Sequence, residues 1–176
     1  NSSANAPEWG SGGAWSVKSS GALSASSGIT LTGLSKTIKI SMSFIMDSGS
    51  NLGFNLSTDG GSNWNGSPYF DSNYMHAYIG SSSVSSQANQ NQGAMNINHF
   101  GPAQGTANNI LELTLYEPNQ TRYSIWEWRY ISAQNTTSLE QLIGSGTWQQ
   151  TTAVNALKIY PYSGTFTGTY VATELN

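Results

Sequence analysis

Nine acidic residues, six basic residues and two histidines carry most of the acid–base chemistry of this 176-residue chain, which has a formal net charge of −3. Among them, Glu112 and Glu127 form the pair of greatest catalytic interest, because both fall in one predicted hairpin. Glycoside cleavage needs two carboxyls roughly 5–9 Å apart across the scissile bond. With a two-residue connection at Pro118-Asn119, Glu117 pairs with Gln120, Glu112 faces Ile125 and Ile110 faces Glu127. The two carboxyls then share a face as a diagonal pair. A one-residue change in the connection puts them on opposite faces. The plainer use of this segment is a solvated strand face on which Glu127 pairs with Arg129 or Lys39. His76 and His99 are not accompanied by a G-x-S-x-G nucleophile motif. No catalytic residue is therefore assigned.

Metal chemistry is thin as well. Asp47-Ser48-Gly49-Ser50-Asn51 places several oxygens in a turn but lacks the spaced carboxylates and closing Glu of a calcium loop. Two histidines without any cysteine argue against zinc. The reading assigns no metal ligand and no cofactor.

Aromatic residues are more informative. Trp64, Tyr69, Phe70 and Tyr74 cluster with Asn63, Asn65, Asp71 and Asn73 just after the turn Asp59-Gly60-Gly61-Ser62. Rings beside amides and carboxylates suit a sugar: the ring face meets the C–H side of a pyranose, and Asn and Asp bond its hydroxyls. The same composition suits a cap on one end of a β-sandwich or a subunit interface, where Tyr and Trp are also enriched. We take Asn63, Trp64, Asn65, Tyr69, Asp71 and Tyr74 as the candidate glycan- or partner-binding set.

The elements that must position these groups follow a period of two. Residues 29–34, 38–44, 52–56, 74–79, 110–116, 122–131, 154–160 and 164–172 read as strands. The turn Glu117-Pro118-Asn119-Gln120 has Pro at its preferred second position. Trp126 and Trp128 share one strand face, with Leu111, Leu113 and Leu115 on the same side in the two-residue register. That makes the indoles core or inter-subunit residues. The polar, low-complexity stretch 81–93 reads as a long surface loop. Residues 137–143 read as one or two helical turns with Ser138 as cap. Residues 1–28, rich in Ser and Gly, read as an N-terminal arm, with Trp9 and Trp15 as its docking and attachment residues. Residues 29–176 read as one antiparallel β-sandwich, all-β and jelly-roll-like.

Composition narrows the classes further. Only 9% of residues are charged, against about 25% in a typical soluble domain; Ser, Thr, Asn and Gln fill the gap. Six scattered basic residues make no phosphate-tracking stripe, so no nucleic-acid partner is expected. No apolar run approaches the ~18 residues of a membrane span, so no insertion is expected either. The chain has no Cys, which excludes a disulfide scaffold and a thiol nucleophile. An aromatic content of 11% demands a core and argues against disorder.

Several segments carry a resemblance. Leu56-Ser57-Thr58-Asp59-Gly60-Gly61-Ser62 resembles the "LSTDGGS" hairpin of a β-sandwich domain found in many bacteriophage virion structural proteins. In the same order as in that family stand Trp15-Ser16, Leu31-Thr32-Gly33-Leu34 and the L-Y-x-P-type turn Leu115-Tyr116-Glu117-Pro118-Asn119. The aromatic return strand 123–129 follows. The ending over 153–170 includes Ser163-Gly164 and Gly168-Thr169-Tyr170. The finish Ala172-Thr173-Glu174-Leu175 departs from the family's glycine-containing ending. The resemblance implies a non-enzymatic virion component: tail-fibre tip, tail accessory or head decoration. Its implied partners are other virion proteins and further copies of itself, a trimer if it sits on a fibre, because fibres use cyclic symmetry. The implied location is the outer surface of the particle. A receptor- or carbohydrate-binding adhesion module, with a host surface glycan as partner, is the alternative; a glycan-cleaving enzyme ranks below both.

Overall fold

Alternation of apolar and polar residues sorts the described chain into strands, with no helix among the described residues. A computed structural model describes residues 14–47, 50–64, 70–78, 83–92, 94–97, 108–135 and 138–176. The strands are β1 (Trp15–Ser26), β2 (Ile29–Thr32), β3 (Ile38–Met46), β4 (Leu52–Ser57), β5 (Phe70–Tyr78), β6 (Ser83–Gln92), β7 (Met95–Asn96), β8 (Asn109–Tyr116), β9 (Ser124–Asn135), β10 (Ser138–Trp148), β11 (Ala156–Pro161) and β12 (Phe166–Leu175). They form an eight-stranded sheet, β1-β12-β3-β8-β9-β10-β5-β6, and a four-stranded sheet, β2-β11-β4-β7. All pairings are antiparallel. The protein is thus an all-β antiparallel sandwich. The chain crosses repeatedly between sheets, as a jelly-roll-like layout requires, but the two sheets are unequal.

The core lies between them. In β3, Ile38, Ile40, Met42, Phe44 and Met46 point inward and every intervening residue is exposed. β8 adds Leu111, Leu113 and Leu115, and β9 adds Trp126, Trp128 and Tyr130. From the small sheet come Ile29, Leu31, Phe54, Leu56, Leu157 and Ile159. Phe54 bridges the layers, with its ring 5.5 Å from that of Trp126 and 6.2 Å from that of Phe70. The Trp126 indole N–H lies 2.9 Å from the sulfur of Met95, a soft partner for a buried donor.

Large inward rings need small residues opposite them. Gly144 pairs with Trp128 and Gly146 with Trp126 across β9 and β10. A Cβ on Gly144 would sit 2.3 Å from the Trp128 ring, and one on Gly146 2.5 Å from the Trp126 ring. The indoles lie across the glycines and fill the volume a side chain would take. At Gly168 the obstacle is backbone: a Cβ there would come within 2.1 Å of the Ser43 carbonyl oxygen.

Three segments differ from the sequence reading. The expected arm is a strand from Trp15 onward: β1 pairs with β12 from Trp15↔Leu175 to Ser26↔Phe166. The sandwich therefore includes residues 15–26, which the sequence reading assigned to the arm; residues 1–13, including Trp9, lie outside the described residues. The stretch read as a surface loop over 81–93 contains β6, paired along β5. β1 and β6 are the two edges of the large sheet, where polar and small residues are tolerated because one side of the backbone meets solvent. Of the stretch 137–143, residues 138–143 belong to β10 rather than to a helix, and residue 137 lies outside the described residues. Hydrogen-bonded partners on both sides, β9 and β5, override local helix propensity.

The β8–β9 connection spans residues 117–123. Glu112 faces Arg129 and Thr114 faces Glu127, four positions away from the two-residue register. Because side chains alternate with period two, an even shift keeps each residue on its face. Trp126 and Trp128 remain on the leucine side, in the core.

A candidate binding groove on the outer face of the large sheet

Outward residues of the large sheet line up in rows across the strands. One row runs Lys39, Thr114, Glu127, Ser145, Asn73, Ala88, from β3 to β6. The adjacent row runs Glu112, Arg129, Ile143, Met75, Ser86, from β8 to β6. These two rows line a groove of about 750 Å³. It crosses six strands, which at about 4.8 Å per spacing makes it ~24 Å long.

Several of its side chains are held in place. Glu127 accepts a 2.6 Å hydrogen bond from the Tyr116 hydroxyl, which stands one row away on β8. That bond, with burial and the carboxylate's charge behind it, pushes the Tyr116 phenol up to about 12. The Ser145 hydroxyl donates to Oδ1 of Asn73 at 3.0 Å, which turns the Asn73 NH₂ toward solvent as a donor. Lys39, Glu112 and Arg129 close no ion pair among the described residues. Ile143 and Met75, 47% and 58% exposed, supply apolar surface between these polar ends. The groove was only partly foreseeable. Glu112 and Glu127 share its face, as the diagonal pairing anticipated. The strand at 74–79 anticipated part of β5, but the contributions of β10 and β6 were hidden because 137–143 and 81–93 do not read as strands.

The candidate set around the Asp-Gly-Gly turn is not brought together. Asn63 is spent on the turn itself: its backbone N–H donates to Asp59 at 2.9 Å and its side-chain amide at 2.6 Å. The Asn63 backbone N–H, the Ser57 hydroxyl and the Asn63 amide hold the Asp59 carboxyl down at about 2. Gly60 and Gly61 take φ of 77° and 90°, a region open to glycine at no steric cost. Trp64 is half-buried: its ring lies against Gly61, and the Lys158 ammonium sits 5.9 Å from its centroid. The indole therefore covers the end of the small sheet. Asp71 lies on β5, with its carboxylate accepting from Gln149 Nε2. Tyr74 is a core residue, 3% exposed, with its ring 6.4 Å from that of Trp128 and its hydroxyl bonded to Gln87. From its inward position on β5 it lines the floor of the groove beside Trp128, almost wholly buried. Asn65 and Tyr69 lie outside the described residues. Trp15, 46% exposed, is paired into the edge strand β1.

The remaining polar groups have local roles. His76 lies inward on β5, with Nε2 3.1 Å from Oε1 of the buried Glu140. Burial pulls the imidazole below its usual range. His99 lies outside the described residues. The Asp47 carboxylate accepts from the Thr165 backbone N–H at 2.7 Å and its hydroxyl at 2.5 Å. Among the described residues, no group of three or more His, Cys, Asp or Glu is placed to hold a metal.

No family model and no curated protein matches the chain. Among solved structures it is similar to galectin LEC-6 of Caenorhabditis elegans, at 12% identity and a TM-score of 0.36, over 89% of this chain and 95% of that one.

Proposed function

We propose that this chain is a non-enzymatic bacteriophage virion protein displayed on the particle exterior, as a head decoration or as a tail or fibre accessory, and assembled as a homo-oligomer. The supporting observation is where the resembling segments meet. The Val154 N–H donates to the Pro118 carbonyl at 2.7 Å, and the Asn155 N–H donates to the Ser57 carbonyl at 3.0 Å. The Asn155 carbonyl in turn accepts from Leu34 N–H at 3.0 Å. Its side chain accepts from Gly60 N–H at 2.7 Å and donates to the Thr58 carbonyl at 3.1 Å. The L-Y-x-P turn, the LSTDGGS hairpin, the Leu31–Leu34 segment and the entry to β11 thus form one bonded unit. Residues scattered through the sequence make sense together as a framework for the sandwich, which is what a shared structural domain requires.

The test is direct. Mass spectrometry of purified particles from the source phage should detect this chain in stoichiometric amount, and gold-labelled antibody should reach it on intact particles. A chain absent from purified particles, or reached only after disruption, would overturn the proposal. Light scattering of the purified chain would give its oligomeric state.

A second reading, an adhesion module of a tail fibre, is favoured by the groove across the large sheet. Labelled protein should then bind host cells saturably, whereas a pure connector would bind none.

A further inference from the structure

We infer that the groove on the outer face of the large sheet binds an extended, uncharged, hydroxyl-rich glycan chain lying across the strands. The inference rests on the adhesion reading and supplies its ligand class. It also moves the site away from Trp64 and its neighbours.

Charge balance selects the class. Lys39 and Arg129 bring two positive charges, and Glu112 and Glu127 bring two negative ones. They alternate on neighbouring strands: Arg129 directly faces Glu112, and Glu127 stands on β9 two residues before Arg129. An anionic ligand in this groove would meet two carboxylates, and a cationic one would meet an ammonium and a guanidinium. Each mismatch leaves a charge opposed or desolvated without a partner. A neutral polyol has no such conflict, because each hydroxyl both donates and accepts.

The geometry of donors and acceptors agrees. Glu127 gives one oxygen to Tyr116 and keeps the other for a ligand. Asn73, with its carbonyl taken by Ser145, presents its NH₂. Arg129 and Lys39 add donors, and Glu112 adds acceptors. Ile143 and Met75 offer apolar contact for the C–H side of a sugar ring. A peptide partner would instead favour the sheet edge, where free backbone groups can pair. On the sheet face the backbone is already bonded within the ladder, so only side chains can read the ligand. The volume falls within the range of small-ligand sites, and the length suits several linked rings rather than one.

The experiment measures binding of the full chain to immobilised neutral dextran, galactan and mannan, with polygalacturonate as an acidic polymer and chitosan as a cationic one. The expected result is saturable binding to at least one neutral polymer and none to the charged ones, with little change on adding salt. Arg129→Ala and Asn73→Ala should each weaken it by about tenfold or more, with an unchanged melting profile. Binding only to charged polymers, binding to none, or binding undiminished in both variants would overturn the inference. Binding lost in Trp64→Ala but kept in the groove variants would return the site to the turn cluster. Cell adsorption in parallel separates the two levels: cells bound without any polymer bound would leave the adhesion reading standing and remove the neutral glycan. Neither bound would remove both.

Discussion

Strands β8, β9 and β10 present two faces built on the same backbone, and those faces obey different rules. Inward stand Leu111, Leu113 and Leu115, then Trp126, Trp128 and Tyr130, then Leu142, Gly144 and Gly146. Outward, one residue along, stand Glu112 and Thr114, then Glu127 and Arg129, then Ile143 and Ser145. On the inner face each choice constrains its neighbour: the indoles require the glycines, and Met95 receives the Trp126 N–H. On the outer face the groups are separated by solvent and share few bonds. Close packing makes the inner face intolerant of a single added or removed atom. The outer face is free to vary its chemistry without threatening the fold, which is why the binding surface can be located there.

This contrast can be broken from the inside first. Trp126→Ala removes a fully buried indole and should cost about 3–5 kcal/mol in a denaturant titration. A loss under about 1 kcal/mol would mean the inner face is not close-packed at its centre. Gly146→Ala should cost roughly 1–3 kcal/mol. Its Cβ would press on the Trp126 ring at 2.5 Å and the Asp71 carbonyl at 2.6 Å. A neutral result would show that β5 and β9 can spread. On the outside, Glu112→Gln and Arg129→Ala should each change stability by no more than about 0.5 kcal/mol. A larger penalty in either would show the outer face to be structural after all, and would make its use as a binding surface harder to sustain.

The smallest expected effect is a pH dependence. Tyr116 titrates at about 12 in the fold against an ordinary 10, so the folded chain retains a proton that the unfolded chain has released between those values. The stabilising contribution is complete below pH 10 and is lost as pH rises toward 12. Burial also raises Tyr74, Tyr160 and Tyr162, so ultraviolet titration should show several late phenols, one fewer in Tyr116→Phe, and Glu127→Gln should bring the Tyr116 phenol down toward its ordinary range. An unchanged titration in Glu127→Gln would break the link between Tyr116 and the groove carboxylate.

The misread segments share a cause. Residues 83–92 and 138–143 have few alternating apolar residues, so period counting sees no strand in them. Their strand state comes from pairing with other strands, β6 along β5 and β10 between β9 and the distant β5, which a count of periods within each segment does not register. The indoles of β9 show the opposite case. Their inward face was legible because Leu111, Leu113 and Leu115 alternate on the preceding strand. That inference survived a connection four positions different from the assumed one, since parity protects it.

Alternation in β3, β8 and β9 determined an all-β sandwich and most of its core, because burying one face of a strand demands a two-residue period whatever the partner. The sequence also determined the Asp-Gly-Gly turn, where only glycine takes positive φ without strain. Tertiary structure decided which strands are neighbours, and with that the groove. Lys39, Glu112, Glu127, Arg129, Ser145 and Asn73 come from five strands and meet only once the ladders are in register. Tertiary structure also drew Tyr74 into the core and spent Asn63 on its own turn. A side chain's type names the bonds it can make, but which neighbours arrive first decides which of them remain for a ligand.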